Sequence, residues 1–124
     1  MRSPSIVHLV DDDDAVRDSV RVLLESYGMS VQDYASGGEF LDGEKKERGC
    51  LLVDVHMPGT SGIELLEKIR RCGSALPVIV FSGRGDPALK ERAIKAGAFA
   101  FLEKPVSDEL LIAELERAIG SGAV

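Results

Sequence analysis

What constrains this chain most is an alternation. Short β-branched runs trade places with helix-period segments five times along the sequence. Ile6-Val7-His8-Leu9-Val10 is extended in character and stops at Asp11. From Asp14 the spacing turns helical, with Val16, Val20, Leu23, Leu24 and Tyr27 on one face and Gly28 as a natural stop. Met29 to Tyr34 alternates like a half-buried edge strand. Ser36 can cap a short helix through about Leu41, and the polar stretch from Asp42 to Gly49 reads as loop. Cys50-Leu51-Leu52-Val53 is apolar throughout and ends at Asp54, which suits a strand covered on both faces.

The pattern then repeats. Pro58-Gly59-Thr60 makes a turn, and Ser61 caps a helix with Glu64 at the capping-box position, Leu65, Leu66 and Ile69 inside, and Gly73 at the end. Pro77 to Phe81 forms a buried strand ending at Ser82, followed by a flexible Gly83-Arg84-Gly85 loop. Asp86 caps a helix with Pro87 at its first position, Ala93 and Ala96 inward, and Gly97 as the stop. Phe99 to Leu102 is the last strand, and Lys104-Pro105 breaks the chain. Ser107 caps a final helix carrying Leu111, Leu115, Ala118 and Ile119, before a flexible Gly120-Ser121-Gly122 end. Strict alternation implies an α/β fold with a parallel sheet and right-handed crossovers. Five strands predict a doubly wound, flavodoxin-like sheet of order 2-1-3-4-5 with five helices on both faces.

Length and composition remove other classes. A chain of 124 residues leaves room for one domain, spanning 1–124 with a core over about 5–119. A net charge of −6 disfavours a nucleic-acid binder that works by neutralising phosphates. No apolar run approaches the roughly 18–20 residues of a membrane span, and no export signal is evident, so a cytoplasmic location is expected. The two cysteines, Cys50 and Cys72, are too few for a disulfide framework or a zinc site and read as free thiols. His8 reads as a core or sheet-edge histidine.

In such a sheet, ligands sit beyond the carboxyl ends of the strands at the topological switch point. Asp11 and Asp12 end the first strand, Asp54 the third and Ser82 the fourth, and Lys104 lies just past the fifth. These residues, distant in sequence, are expected on one rim. Three carboxylates in one crevice either keep a proton or bind a cation. A hard divalent ion with oxygen ligands, Mg²⁺, fits best. The ammonium and hydroxyl facing it would embrace a phosphoryl group, with Asp54 as the nucleophile that forms an acyl phosphate.

The residues carrying this chemistry resemble a known family. Val10-Asp11-Asp12-Asp13, Leu52-Val53-Asp54-Val55-His56-Met57-Pro58-Gly59, Ser82 and Phe101-Leu102-Glu103-Lys104-Pro105 are similar to the receiver domain of two-component response regulators, within the CheY-like superfamily. The likeness covers about Ser5 to Ile119 and is greatest to the FixJ-type subgroup. It implies that Asp54 is the phosphoacceptor, and that Asp12, Asp54 and the backbone carbonyl of His56 hold Mg²⁺. Asp11 matches the second acidic position, which often acts through water. Ser82 matches the switch hydroxyl, Phe101 the aromatic that rotates inward behind it, and Lys104 the phosphate-contacting lysine, whose bond to Pro105 is usually cis in the family. The implied donor is a phosphohistidine on a sensor histidine kinase or a histidine phosphotransfer protein. The receiver would catalyse only its own phosphotransfer and slow autodephosphorylation. Serine stands at position 82 where threonine is commoner. Many FixJ-type proteins carry a DNA-binding domain after the receiver, and none is found in this chain, which leaves a single-domain regulator or the receiver part of a longer one.

Further expectations concern the surroundings. His56 and Arg84, each two residues beyond a site residue, would modulate the lifetime of the phosphoryl group. Ala15, Ser19, Val22 and Ser26 form a second, small or apolar stripe on the first helix, expected to meet the histidine-bearing helices of the kinase. Phosphorylation would bias a surface of the fourth helix, fifth strand and fifth helix, the expected output or dimer face, toward a homodimer or a downstream target. Two alternatives are a degenerate receiver acting as an unphosphorylated interaction module and an aspartyl-phosphate phosphohydrolase of the haloacid dehalogenase type. The latter needs a D-x-D motif, but His56 stands two residues after Asp54.

Overall fold

The computed structural model describes residues 6–42, 49–57, 59, 61–83 and 87–122. Its elements alternate as β1 (Ile6–Val10), α1 (Asp14–Ser26), β2 (Ser30–Tyr34), α2 (Gly37–Asp42), β3 (Cys50–Asp54), α3 (Gly62–Arg71), β4 (Val78–Ser82), α4 (Pro87–Lys95), β5 (Ala100–Glu103) and α5 (Asp108–Gly122). The five strands form one parallel sheet in the order β2-β1-β3-β4-β5. This is the predicted flavodoxin-like arrangement.

Register explains how the core divides. Side chains alternate across a strand, so Val7 and Leu9 of β1, Cys50 and Leu52 of β3, and Ile79 and Phe81 of β4 face one side. There they pack with Leu24 of α1 and with Ile112, Leu115 and Ala118 of α5. Val10, Leu51, Val53, Val78 and Val80 face the other side, against Ile63, Leu66 and Ile69 of α3, Ala93 of α4 and Phe40 of α2. The central strands β3 and β4 are buried along their whole length, as their unbroken apolar runs require. His8 is buried with its Nδ1 hydrogen-bonded to Tyr34 OH at 3.1 Å, beside Phe40. Burial pushes the Cys50 thiol up to about 12, whereas Cys72 is exposed.

Local signals set the ends. Asp13 caps α1 through hydrogen bonds from Ala15 and Val16 N–H. Ser61 and Glu64 form the predicted capping box. Helix α1 closes with Gly28 N–H bonded to Glu25 O and Met29 N–H to Leu24 O, the glycine at φ +84°. This closure corrects two expectations. Tyr27 becomes the C-cap, leaves the helical spiral, and is half exposed rather than core. Met29 spends its N–H on the helix, so β2 begins at Ser30. At the other end, α5 continues through Gly122 instead of fraying after Ile119. Glycine lowers helix propensity by about 1 kcal/mol but does not forbid helical dihedrals. The expected Asp86 cap and the Pro58 and Thr60 turn positions lie outside the described residues.

Candidate functional site

The carboxyl ends of β1, β3 and β4 and the segment after β5 meet at one rim. Asp54, the last residue of β3, is only 9% exposed. Its Oδ1 accepts a hydrogen bond from His56 N–H at 3.0 Å, and its Oδ2 lies 3.5 Å from Lys104 Nζ. The ammonium reaches across the intervening strand β4, 4.4 Å from the centre of the Phe81 ring. Lys104 N–H donates to Ser82 O at 2.8 Å, which ties the lysine's backbone to the end of β4. The Lys104–Pro105 bond is cis, as expected.

Asp11 is the second buried carboxylate, 1% exposed. Its Oδ1 accepts from Asp13 N–H at 2.9 Å, while Oδ2 is buried with no hydrogen-bond partner. Burial pushes this carboxyl above its ordinary range. The hydrogen bond from Asp13 pulls it down, the nearby Asp54 charge pushes it up, Lys104 pulls it down, and Asp12 adds the smallest push upward. Two anions thus share a poorly hydrated corner with one ammonium. Asp12, in contrast, is solvent-exposed, so two carboxylates rather than three are enclosed. Among the described residues no three His, Cys, Asp or Glu side chains are grouped to hold a metal. Mg²⁺ does not require three, because it commonly takes one or two carboxylates and completes its shell with water and phosphate. The partnerless oxygen of Asp11 is the observation that fits a cation here, since a buried acceptor without a donor is otherwise costly.

Ser82 is fully buried, and its Oγ is hydrogen-bonded to His56 Nε2 at 3.1 Å. The His56 ring therefore reaches from the end of β3 to Ser82 at the end of β4. Phe101 is partly buried against the cluster on the α3 and α4 side. Arg84 lies outside the described residues. Ala15, Ser19, Val22 and Ser26 are all exposed on α1, Val22 by 57%. None of the four lines the cavity of about 350 Å³ that Val16, Val20 and Leu23 of α1 form with Leu111 of α5 and Lys104.

Two residues of the site escaped the sequence reading. A Cβ on Gly62 would lie 2.5 Å from Asp54 O, so the first turn of α3 approaches the end of β3 as only glycine allows. Arg17 places Nη1 2.7 Å from Asp11 O. The only signal for Gly62 was its place just after the Ser61 cap. For Arg17 it was a lone basic residue following four aspartates.

Residues 7–116 match the response regulator receiver domain family. The transcriptional regulatory protein FixJ of Azorhizobium caulinodans is 48% identical over 118 residues, which are 94% of this chain and 56% of that protein. FixJ of Bradyrhizobium diazoefficiens is 41% identical over 96% of this chain and 58% of that protein. The chain therefore spans little more than half the length of these relatives. The solved structure of FixJ-N superposes with a TM-score of 0.86 at 36% identity, covering 96% of both chains. Full-length FixJ from B. japonicum gives 0.88 at 39% identity over 98% of this chain and 61% of that one. No helix among the described residues is long and apolar enough to cross a membrane. Family model, relatives and fold agree: this chain belongs to the response regulator receiver domains of two-component systems and is of the FixJ type.

Proposed function

We propose that this chain accepts a phosphoryl group on Asp54 from a phosphohistidine of a sensor histidine kinase or histidine phosphotransfer protein. The observation that carries the reading is the pairing of Asp54 with Lys104 at 3.5 Å beside the partnerless Asp11 oxygen. An Asp54 oxygen attacks phosphorus as the P–N bond breaks. The donor ring, protonated on its other nitrogen, leaves with the bonding pair as neutral imidazole. Lys104 holds a phosphoryl oxygen with its ammonium, and the β3–β4 rim keeps the nucleophile oriented. Asp11, Asp12, Asp54 and the His56 carbonyl would hold Mg²⁺, which when bound offsets negative charge on the phosphoryl oxygens.

The added group brings about −1.5 to −2 charges into a corner already holding two carboxylates. Ser82 Oγ exchanges His56 for a phosphoryl oxygen, and Phe101 moves into the space behind it. The segment from α4 to α5 then changes its surface, which exposes Ile94 and Leu110 in the resting state. That face is the output or dimerisation surface in this reading. The small stripe on α1 receives the histidine-bearing helices. Beyond its own phosphorylation and slow dephosphorylation the chain turns over no substrate. A phosphohydrolase would need an acid–base carboxylate where His56 stands. A degenerate interaction module would have no need of the retained Asp11, Asp12, Asp54, Ser82 and Lys104.

Incubation with acetyl phosphate and Mg²⁺ tests the proposal. Parent protein takes up a base-labile phosphoryl group, one per chain, and Asp54→Asn takes up none. Label in Asp54→Asn, or sustained turnover of the donor with no labelled protein, overturns it.

A further inference from the structure

Four consecutive aspartates, Asp11 to Asp14, occupy the β1–α1 connection. Their mutual repulsion works against any compact arrangement of that loop, yet Asp11 is held almost wholly buried. One side chain is built to resist that repulsion. Arg17, one turn into α1, has its side chain 17% exposed. Its Nη1 donates to Asp11 O at 2.7 Å, its Nη2 to Asp14 Oδ1 at 2.6 Å, and its Nε to Asp33 Oδ2 at 3.3 Å. Asp33 belongs to β2 and pairs in register with Leu9 of β1. A second arginine, Arg21, supports Asp33 Oδ1 at 3.6 Å. Asp11 N–H meanwhile donates to Tyr34 O at 3.2 Å. The Asp11 peptide groups are thus gripped from both sides by donors and acceptors anchored on β2 and α1, which fixes the stretch of backbone that carries its carboxylate.

We propose that Arg17 is a positioning residue for divalent-cation binding: it clamps the Asp11 backbone carbonyl to Asp33 of β2 and so presets the Asp11 carboxylate. The role rests on the reading that Asp11 and Asp54 share a Mg²⁺ ion. Arg17 never touches the ion or the phosphoryl group. Groups that orient ligands from behind commonly set metal affinity by about 10–100-fold.

The sign of the effect separates this role from simple electrostatics. Removing a cation from the neighbourhood of a Mg²⁺ site strengthens binding if only charge matters. Removing a clamp weakens it. An exposed ion pair would contribute about 0–1 kcal/mol to stability and leave the ion's affinity alone.

Mg²⁺ titration of the unphosphorylated protein, followed by ¹H–¹⁵N chemical shifts, reads the affinity directly. Arg17→Ala is expected to raise the Mg²⁺ Kd by about 10–100-fold. Acetyl phosphate labelling of the same variant should need correspondingly more Mg²⁺, with its rate at saturating Mg²⁺ returning to that of the parent. Arg17→Lys, which keeps the charge but not the fork, should fall between. Should Arg17→Ala fail to fold, Arg17→Met retains the packing of the aliphatic stem and carries the same expectation. A folded Ala or Met variant whose Mg²⁺ affinity equals or exceeds that of the parent overturns the positioning role. A parent that binds no Mg²⁺ overturns the proposed function itself, and this role with it.

Discussion

Asp11→Asn is expected to make the metal-free protein more stable at neutral pH while removing its capacity for Mg²⁺. The parent keeps a carboxylate buried to 1% exposure, with one oxygen lacking any donor and the charge of Asp54 close by. Asparagine retains an oxygen for the Asp13 N–H and replaces the stranded acceptor by an amide that can donate to Asp54. A buried polar group left unpaired costs about 1–3 kcal/mol. Relieving that cost in a chain of 124 residues corresponds to a rise in Tm of roughly 3–15 °C. The pH dependence has a fixed direction. Asp11 sits above its ordinary 3.8 in the folded protein, so the unfolded chain loses this proton first as pH rises. The folded state therefore binds more protons over that interval, and its stability falls as pH climbs from 3.8 through the folded value. The advantage of asparagine should be full above that window and should shrink as pH falls toward 3.8. Thermal melts by circular dichroism in chelator, at several pH values, give the comparison. On the proposed Mg²⁺ site, the ion should reverse the order, because a ligand at 100-fold over its Kd stabilises by about 2.7 kcal/mol and only the parent would bind it. A variant that melts at or below the parent at pH 7.5 without Mg²⁺ refutes the reasoning.

Other substitutions address separate links. Gly62→Ala should destabilise by about 1–3 kcal/mol, because its methyl meets the Asp54 backbone rather than a movable side chain; urea denaturation measures it, and a gain in stability would contradict the close approach. His56→Ala removes the resting partner of Ser82 and uncovers the rim of Asp54, so the phosphoryl group should hydrolyse faster. An unchanged lifetime would remove His56 from that role. Val22→Glu places a charge on the exposed α1 stripe and should slow transfer from the kinase about tenfold while sparing labelling by acetyl phosphate. Equal slowing with both donors would point to damage at the rim instead.

Most of the architecture was written in local periodicity. Cys50 to Val53 and Val78 to Phe81 are apolar without interruption, and both became central strands. Because parallel strands place their ends together, that periodicity alone assigns Asp54, Ser82 and Lys104 to one rim. Other features depended on geometry that spacing does not encode. Tyr27 lies at helical spacing from Leu23 and Leu24, yet the glycine closure turns it outward. Asp12 adjoins Asp11 in sequence, but as the chain turns from β1 into α1 only Asp11 is buried. Arg17 reads as an ordinary helix charge until β1 pairs with β2 and brings Asp33 within reach. The need for glycine at position 62 follows from how closely α3 crosses Asp54, which is a tertiary distance.

The two cysteines give the molecule an internal gauge of its own opening. Cys72 lies in solvent at the end of α3, so a thiol reagent meets it at once. Cys50 opens the central strand β3 with no exposed surface and a thiol held near 12, so the native sheet withholds it from alkylation. Modification in pulses should then be biphasic. The fast phase counts molecules, and the slow phase follows the rate or equilibrium at which β3 parts from its neighbours. The unmodified natural sequence can thus be compared with and without a phosphoryl group on Asp54, with no probe engineered into the sheet.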